Sequence, residues 1–570
     1  MRIAAAAIFS IAMSSNAVGQ NPLFIPDTLD GTVFSLNVQP GTIEFFTGFN
    51  TPTFGYNGDT LGPTLLINKG DVVTMNVTNN LTTATTVHWH GFHVPPEDDG
   101  GPHQIILPGD TWSPSFEMMN DACTMWYHPH GENKTEIQVS KGLAGMVIVR
   151  DPVEAAYILP RRYEVDDFPL IVQSKAFDVL YQFMIATHED SIMMVNGTID
   201  PFLEVPQQVV RLRLLNGSTD RTYLFGLEDN SDFSLIASDG GLLSAPVTTN
   251  RLRLSTGERA EILVDFSAYT VGTQMYLKSY ASELPKGTIG ADSCGTDVIL
   301  ISDGYYSNPL NGADFNILRL DVIPPTVSPV TTIPVSFAPV VPIPEASADV
   351  TREIRFTADT AFSGPQGFVD GPFLMNEVPF NMDSINIITF IDNIEIWELT
   401  NSTMIAHPFH IHDVMFYVLE INGGPPPPQY QGLKDVILVE PDDTVRFITQ
   451  FTDFMSTTPY MYHCHLLHHE DDGMMHSFAV IDSSWLEIHG IKVENEVVMY
   501  PNPSVNDVWI FSGQLNISGL RVIDELGREV SITTNVVDGS IINMSDWSSG
   551  IYTFIFVTEK GEISRRIVKE

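Results

Sequence analysis

Apolar and polar residues alternate along short stretches through most of the chain, and Gly, Pro or Asn interrupts the alternation every few residues. An alternation with a period of two places the apolar side chains on one face of an extended strand. Stretches with the period of a helix are scarce. Many short strands separated by turn residues are typical of β-sandwiches and β-barrels. The pattern therefore predicts an all-β protein.

Three segments share one pattern, a strand of alternating polarity that ends at an Asn-containing turn. These segments are residues 70–79, 208–217 and 392–401. A histidine-rich sequence follows the first segment at residues 88–91 and the third at residues 407–412, whereas none follows the second. We interpret the three segments as a weak internal repeat. The repeat predicts three similar domains, of which the middle one has no metal cluster.

The length of 570 residues is too great for one hydrophobic core and predicts three or four domains. The Pro- and Val-rich stretch before the third repeat is typical of a stiff, extended linker. The last 80 or so residues contain short alternating strands of their own and predict a small β-sandwich. The predicted boundaries are 21–150, 160–320 and 350–485 for the three repeated domains, 321–349 for the linker and 496–570 for the C-terminal sandwich.

Residues 1–19 predict a secretory signal peptide. One Arg precedes an apolar run from Ile3 to Met13, and small residues follow around Ala17 and Gly19. This run is too short to span a bilayer, and no later stretch of the sequence is long enough. We therefore expect no transmembrane segment and export through the periplasm, with metal loaded outside the cytoplasm.

The chain is strongly acidic, with a net charge of −42 and only 28 basic residues. Nucleic acid is therefore not an expected partner, because its phosphates would be repelled. Most of the acidity is expected to be a solvated surface, although it can also concentrate cationic substrates. The three cysteines are Cys123, Cys294 and Cys464. If Cys464 binds a metal, the other two either form a disulfide between domains or remain two buried thiols, and both alternatives stay open.

Four pairs of histidines two residues apart carry the first candidate metal site. On a strand, each pair presents both imidazoles to one side. The pairs are His88 and His90, His128 and His130, His410 and His412, and His463 and His465. Eight imidazoles from four segments can hold three copper ions, two with three nitrogens and one with two. Such low coordination leaves open positions for dioxygen.

A second candidate site begins at Cys464, which lies between His463 and His465 and points to the opposite face of the strand. A thiolate, two imidazoles and a thioether form the ligand set of blue-copper electron-transfer sites. The residues of this set are His407, Cys464, His469 and Met474. Because Cys464 is joined by backbone to a histidine on either side, the two sites would be connected by a short path for electrons.

These clusters resemble the four copper-binding signatures of the three-domain multicopper oxidases, the laccase-like family. They read His-Trp-His-Gly, Trp-Tyr-His-Pro-His-Gly, His-Pro-Phe-His-Ile-His and His-Cys-His-x3-His-x4-Met. The flanking residues 99–102 and 237–241 agree with the family as well. The resemblance is to the bacterial copper-efflux oxidase and bilirubin-oxidase-like group in particular, and it covers roughly residues 40 to 480. It implies three cupredoxin-like domains.

The resemblance also implies four copper ions and a role for each ligand. Its type 1 ligands are His407, Cys464, His469 and Met474, its type 2 ligands are His88 and His410, and its type 3 ligands are His90, His128, His130, His412, His463 and His465. Asp99 and Glu470 match acidic residues that the family uses to relay protons near the trinuclear centre. As alternatives, Asp99 is a turn former before Gly100, and Glu470 orients a ligand histidine.

The histidines outside the clusters have simpler explanations. His468 is adjacent to His469, but the family spacing selects His469, so we expect His468 at the surface or beside a ligand. His93 and His103 flank the first cluster and can line the path of solvent, although surface histidines with ordinary partners are the preferred interpretation.

The reaction that the resemblance implies is the one-electron oxidation of phenols or aromatic amines at the type 1 copper, coupled to reduction of dioxygen to water. An alternative is a metallo-oxidase of Cu(I) or Fe(II). That alternative is weakened because residues 403–406 do not contain the Asp/Met pair of copper-efflux oxidases, and a Pro-Val linker stands in place of their methionine-rich insert. A non-catalytic copper-binding or scaffold protein would have lost ligands, and none is lost here. We expect a monomer that uses dioxygen and a small reducing substrate.

The C-terminal segment resembles a second family. It contains Tyr-Pro-Asn-Pro at 500–503, a strand at 522–524 that turns at Gly527, Gly-Ile-Tyr at 550–552 and the ending 566–570. This succession is similar to the type IX secretion C-terminal sorting domain. It implies delivery to the cell surface or the medium by a secretion machinery. An ordinary adhesive or substrate-binding β-module is the alternative.

Overall fold

A computed structural model describes the chain over residues 21–293, 304–359, 371–382, 384–482, 497–500, 504, 507–511, 516–524, 526–533, 536–537, 540–558 and 561–569. The predicted signal peptide and Cys294 lie outside these residues. Strands account for 50% of the structure and helices for 6%. The prediction of an all-β fold is therefore confirmed.

Each of the three repeated segments forms the same element, a strand paired in parallel with an earlier strand. Val72–Asn79 pairs with Val33–Phe46 in the first unit of the structure. Val209–Asn216 pairs with Asp167–Phe177 in the middle unit, and Ile394–Asn401 pairs with Val350–Ala358 in the third unit. The repeated sequence pattern therefore corresponds to a repeated pair of strands.

The burial of the two strand faces differs between the units. In the first unit Val73, Met75 and Val77 are fully buried, and the residues between them are half-exposed. The corresponding middle strand is buried on both faces. The polar face of this strand carries Arg211 and Arg213 and packs against the first unit, where Arg213 donates to the Thr124 hydroxyl. Because both arginines are buried, they are paired with carboxylates.

Two sheets form the first unit. In spatial order, one sheet consists of Thr28–Asp30, Thr64–Asn68, Gly145–Arg150, Thr124–His128 and His88–His90, and the other of Phe49–Tyr56, Val33–Phe46, Val72–Asn79 and Thr111–Trp112, with Ser115–Glu117 also paired to Val72–Asn79.

The middle unit also has two sheets. One consists of Asn21–Pro22, Pro201–Pro206, Asp314–Ile323, Gln274–Tyr280, Tyr223–Leu227 and Leu252–Leu254, and the other of Thr198–Ile199, Ile192–Val195, Asp167–Phe177, Val209–Asn216, Arg259–Asp265, Phe233–Ser238 and Gly241–Thr249, with Phe183–Met184 paired to Asp167–Phe177.

The third unit repeats the arrangement. One sheet consists of Phe373–Met375, Val350–Ala358, Ile394–Asn401, Thr444–Gln450, Phe416–Ile421 and Leu433–Lys434, and the other of Ile387–Phe390, Met475–Ile481, Tyr460–Cys464, His407–Ile411 and Val436–Val439. The C-terminal unit has a sheet of Val498–Tyr500, Asp507–Phe511 and Ser540–Asn543 and a sheet of Glu529–Thr533, Ile517–Ile523, Gly550–Thr558 and Gly561–Lys569.

Helices are short and lie between strands. The α-helices are Thr135–Ser140, Pro152–Ala155 and Leu467–Asp471, and the 3-10 helices are Pro96–Asp98, Ala281–Glu283, Tyr305–Ser307, Glu345–Ser347 and Pro428–Tyr430. Within the described part of the chain, none of these helices has the length and apolar character needed to cross a bilayer.

Each unit has its own hydrophobic core between its two sheets. Phe34, Val73 and Trp89 belong to the first core and Leu212 and Ile262 to the middle one. The third core includes Trp397 and Phe447, and the fourth includes Val508 and Phe554. Paired sheets around separate cores match the predicted sandwiches. The exact domain boundaries and the linker at 321–349 stay a prediction.

Candidate metal centre

Pairing of short buried strands brings the four histidine pairs together. In the first unit, His88–His90 runs antiparallel to Thr124–His128, and His128 lies opposite His88. In the third unit, His407–Ile411 runs antiparallel to Tyr460–Cys464, and His410 lies opposite His463. Every residue of these four strands is buried. The imidazoles therefore meet in an interior between the first and third units.

The eight imidazoles form three groups, two of which share His90, and within each group ring nitrogens lie within 4.8 Å of one another. The groups are His88, His90 and His410; His90, His128 and His465; and His130, His412 and His463. In the third group the Nε2 atoms of His130 and His463 are 3.1 Å apart, and those of His412 and His463 are 3.4 Å apart. Nitrogens that face one another in this way suit a cation between them.

In His88 and His410, a hydrogen bond on the far side of the ring leaves the inward nitrogen available. The Nδ1 atoms of His88 and His410 contact the carbonyl oxygens of Asp99 at 3.0 Å and Asp435 at 2.9 Å. The Nε2 atoms of these two histidines have no hydrogen-bond partner among the described residues, and neither ring nitrogen of His465 has one. This is the pattern of histidines that bind a metal through one nitrogen while the other is held in place.

The protonation state of the cluster fits metal binding. Burial lowers the pKa of all eight imidazoles, and neighbouring rings lower it further for most of them. The pKa falls to about 3 for His128 and to about 4 for His463. The rings are therefore neutral near neutral pH, which is the form that donates a lone pair to copper.

The second site lies on the other face of the same strands. The Sγ atom of Cys464 is 3.5 Å from Nδ1 of His407 and 3.7 Å from Nδ1 of His469. The Thr403 hydroxyl contacts Nε2 of His407 at 2.8 Å, so its Nδ1 is directed to the sulfur. Met474 is fully buried, and its carbonyl oxygen accepts the Cys464 N–H. Burial raises the pKa of the Cys464 thiol, which a bound metal ion would deprotonate.

Asp99 contacts two of the predicted ligands. Its Oδ2 is 2.8 Å from Nδ1 of His412, and its carbonyl oxygen is the partner of His88 described above. The turn that places it here requires Gly100, which has φ of +81° and where a Cβ would lie 1.8 Å from the Val87 carbonyl oxygen. Burial, together with the Asp413 carboxylate, raises the pKa of Asp99 well above its ordinary range.

Glu470 lies between two other predicted ligands. Its Oε1 is 3.2 Å from Nδ1 of His130, and its Oε2 is 3.3 Å from Nδ1 of His463. The Thr135 hydroxyl donates to Oε1 at 2.6 Å. Burial, with a further contribution from the Asp471 carboxylate, raises the pKa of Glu470 well above its ordinary range. The raised pKa favours the protonated form of this carboxyl group next to the histidine cluster.

Several contacts around the site were not predicted from the sequence. Oδ1 of Asp435 lies 3.3 Å from Nε2 of His90, and Arg259 of the middle unit pairs with the Asp435 carboxylate. His93, expected as a surface histidine with an ordinary partner, is half-buried and contacts Asp413 at 2.8 Å, a partner that was not predicted. These contacts join segments far apart in the sequence, and no local motif marks them.

Cys123 is buried and forms no disulfide with another cysteine among the described residues. Its predicted alternative, a disulfide with Cys294, involves a residue outside the described part of the chain and stays a prediction. His468 contacts Oδ1 of Asp220 at 2.9 Å and is half-buried beside His469, as predicted for a residue next to a ligand.

Three cupredoxin-like units, an eight-histidine cluster and an adjoining cysteine site together define a copper-binding oxidoreductase. The family model described as multicopper oxidase matches residues 37–154, 172–293 and 348–484. The chain belongs to the multicopper oxidase family, and it is an oxidoreductase that binds copper. The model of the secretion system C-terminal sorting domain matches residues 498–570, so both predicted resemblances are confirmed.

Known relatives cover most of the chain. The multicopper oxidase mco of Staphylococcus haemolyticus (strain JCSC1435) is 31% identical over 482 residues, which are 82% of this chain and 94% of the relative. The cell division protein FtsP of Dickeya dadantii (strain 3937) is 31% identical over 471 residues, 80% of this chain and 91% of the relative. The solved structure of the laccase-like multi-copper oxidase CueO from Ochrobactrum sp. is similar with a TM-score of 0.70 and 32% identity, covering 81% of this chain and all of that one.

Proposed function

We propose that the protein is an exported, laccase-like oxidase that takes single electrons from phenols or aromatic amines and passes them to dioxygen, which is reduced to water. One observation carries the proposal. Cys464 lies 3.5 Å and 3.7 Å from the imidazoles of His407 and His469, while its two sequence neighbours belong to the eight-histidine cluster. A single residue thereby joins an electron-accepting site to a site that can reduce oxygen.

Four copper ions fit the residues present. The proposed ligands are His407, Cys464, His469 and Met474 for type 1 copper, His88 and His410 for type 2 copper, and His90, His128, His130, His412, His463 and His465 for the type 3 pair. Bound copper would supply one-electron redox chemistry and open positions for dioxygen. The backbone at His463 and His465 connects the thiolate side of the strand with the imidazole side.

Protons for water formation are held by Glu470 and Asp99. The Glu470 carboxyl contacts His130 and His463, and that of Asp99 contacts His412. Burial raises the pKa of each carboxyl, which favours the protonated form that can release a proton where oxygen is reduced. The Thr135 hydroxyl, which donates to Glu470, holds that side chain in place. A turn-forming role for Asp99 and an orienting role for Glu470 are compatible with these contacts.

The electron donor is proposed to be a small organic molecule that contacts the rim near His469. His469 is buried, and its ring packs 4.6 Å from that of Phe373, so the surroundings of this ligand are apolar on that side. The group beside His407 is the neutral Thr403 hydroxyl rather than a carboxylate. The apolar contact on this side favours an aromatic donor over a metal cation, which prefers anionic or thioether ligands. On another side His468, whose ring is 4.1 Å from that of His469, pairs with the Asp220 carboxylate.

A non-catalytic scaffold is the second candidate function, because the FtsP relative is named for cell division. A scaffold protein would not need redox ligands. This chain retains all twelve predicted ligand side chains, and the structure brings ten histidines and Cys464 into the four groups described above. Retention of a complete ligand set supports catalysis rather than a purely structural role.

Export is proposed to follow from the two ends of the chain. The predicted signal peptide would direct the chain to the periplasm, and the C-terminal sorting domain would pass it to a type IX machinery for release or display at the cell surface. The four-core arrangement is consistent with a tail that folds apart from the oxidase.

A comparison of electron donors tests the proposed function. Copper-loaded protein is supplied in turn with a phenol, an aromatic diamine, Cu(I) and Fe(II), and oxygen uptake is measured. We expect the phenol and the diamine to give the highest kcat/KM. Faster turnover of Cu(I) or Fe(II) would instead identify a metallo-oxidase, and absence of oxygen uptake with all four donors would favour the scaffold class.

A further inference from the structure

The middle unit contributes no histidine to the three ligand groups found among the described residues, yet its residues 255–259 reach the cluster. The Thr256 hydroxyl donates to the carbonyl oxygen of His465 at 2.6 Å. Gly257 has φ of +82°, and a Cβ at this position would lie 2.9 Å from atoms of the His465 ring. Only glycine permits so close an approach in this backbone conformation. The segment therefore packs directly on one predicted copper ligand.

Arg259, at the end of this segment, is fully buried and pairs with the equally buried Asp435 of the third unit. The pair is bidentate, with both N–O distances 2.6 Å. The guanidinium also donates to the carbonyl oxygens of Thr124 in the first unit and of Gly257 in the middle unit. Such a planar, fully hydrogen-bonded arrangement fixes the carboxylate rigidly. One side chain thereby holds all three units at the copper site.

Asp435 in turn contacts two histidines. Its Oδ1 is 3.3 Å from Nε2 of His90, and its carbonyl oxygen is 2.9 Å from Nδ1 of His410. The His90 and His410 rings are stacked, with centroids 3.8 Å apart and an angle of 8° between their planes. Nδ1 of His90 faces Nε2 of His128 at 3.4 Å. His90 is thus directed into the cluster through its Nδ1, and His410 through its Nε2.

A second ion pair network holds this arrangement from the middle unit. The Asp239 carboxylate accepts the backbone N–H of Arg259 at 2.7 Å and lies 2.9 Å from Nζ of Lys434. Lys434 also pairs with Glu258 at 2.8 Å. Glu258 precedes Arg259 and Lys434 precedes Asp435, so the sequence neighbours of the bidentate pair are also paired with each other. This second ion pair stabilises the contact between the two strand ends.

We propose that Arg259 is a positioning residue of the trinuclear copper site: through Asp435 it fixes the ring orientation and tautomer of His90 and His410. The inference rests on the proposed function. It assigns to the middle domain, which supplies no ligand in the proposed set, a direct part in building the oxygen-reducing site. Groups that orient ligand histidines affect metal affinity or activity by about 10- to 100-fold.

The test compares Arg259→Lys with Arg253→Lys in the full-length, copper-loaded protein. Lysine keeps the charge in both cases, and at position 259 it removes the bidentate geometry. Arg253 is a matched control because it pairs with Glu440 across the same two units, and its described contacts include none of the eight histidines. Copper per chain, the type 2 copper signal in electron paramagnetic resonance, the blue absorption and kcat are measured for each variant.

We expect Arg259→Lys to lower copper affinity at the trinuclear site or kcat by about 10- to 100-fold and to change the type 2 copper signal. The blue absorption, which reports the Cys464 site, should persist. Arg253→Lys should match the wild type in copper content and spectra. An Arg259→Lys protein with wild-type copper content, type 2 signal and kcat would overturn the inference.

Asp435→Asn provides an independent arm, also if Arg259→Lys does not fold. Asparagine keeps the size of the side chain and one side-chain oxygen but lacks the negative charge that pairs with Arg259. We expect the same change in the type 2 signal. Because the two residues act in series, the double variant should lose no more than the worse single variant, and fully additive losses would contradict the inference. If the wild-type protein bound only the blue copper, the proposed function itself would be refuted. Failure of the proposed function is therefore distinguishable from failure of the inference about Arg259.

Discussion

His410 and His463 lie directly opposite each other on the antiparallel strands His407–Ile411 and Tyr460–Cys464. Because side chains alternate along a strand, this register also places Phe409 opposite Cys464 on the other face, together with His407. One pairing therefore sorts the ligands into two sites on the two faces of a single pair of strands. A slip by one residue would exchange the faces and destroy both sites.

Cys464→Ser should abolish the blue colour and the oxidation of phenols, because a hydroxyl cannot replace the thiolate as the electron-accepting ligand. The absorption spectrum and oxygen uptake of copper-loaded protein measure the effect. Cys123→Ser is the matched control, since Cys123 is likewise a buried cysteine but lies in the core of the first unit. Blue colour that persists in Cys464→Ser would refute the type 1 assignment.

Glu470→Gln should reduce kcat about 100-fold or more, because the amide can still accept a hydrogen bond from Thr135 but cannot deliver a proton. Copper content should be unchanged. Glu132→Gln, at an exposed glutamate, should behave as the wild type. If Glu470→Gln loses copper while its rate per bound copper is preserved, the carboxylate orients a ligand and does not relay protons.

The ion pair of His93 should make stability depend on pH. Burial alone would lower the pKa of His93, but the carboxylates of Asp413 and Asp453 raise it from 6.5 to about 9. The stabilisation is therefore fully present below pH 6.5 and is lost as the pH rises through about 9. Thermal unfolding of the wild type and of His93→Gln should differ at pH 6 and converge above pH 9. A difference that is constant across this range would contradict the ion pair.

Truncation before residue 490 should leave phenol oxidation intact and prevent export. The C-terminal unit has its own core, and its matched sorting-domain family accounts for residues 498–570. Oxygen uptake of the purified truncated protein and its distribution between cells and medium are the two measurements. Export of the truncated protein at the wild-type level would refute the sorting role.

The sequence was sufficient for the fold class and the histidine clusters because both depend on local periodicity. Alternation over residues 70–79 predicted a strand with one apolar face, and Val73, Met75 and Val77 are buried there. The spacing of two in His410 and His412 predicted rings on one side of a strand. The structure brings the predicted ligand histidines and Cys464 together. Their roles as copper ligands stay a proposal.

Contacts between units were beyond sequence reasoning for a physical reason. Arg259 meets Asp435 only because two separately folded sandwiches pack together, and nothing in the local pattern around Lys434 and Asp435 indicates a partner in the middle domain. Likewise, His93 was expected to have an ordinary partner, but the sequence could not show that this partner is Asp413 of another unit. A pattern with a period of two shows which face is buried but not which group it will meet.

The ratio of electrons to oxygen tests the central claim most directly. Copper-loaded protein is given a phenol, and the phenol oxidised, the dioxygen consumed and any hydrogen peroxide are measured together. If Cys464 delivers electrons to a complete trinuclear site, four electrons should be taken from phenol for each dioxygen consumed, with no peroxide released. Oxygen uptake that stops at two electrons with accumulation of peroxide, or no uptake at all, would contradict the account.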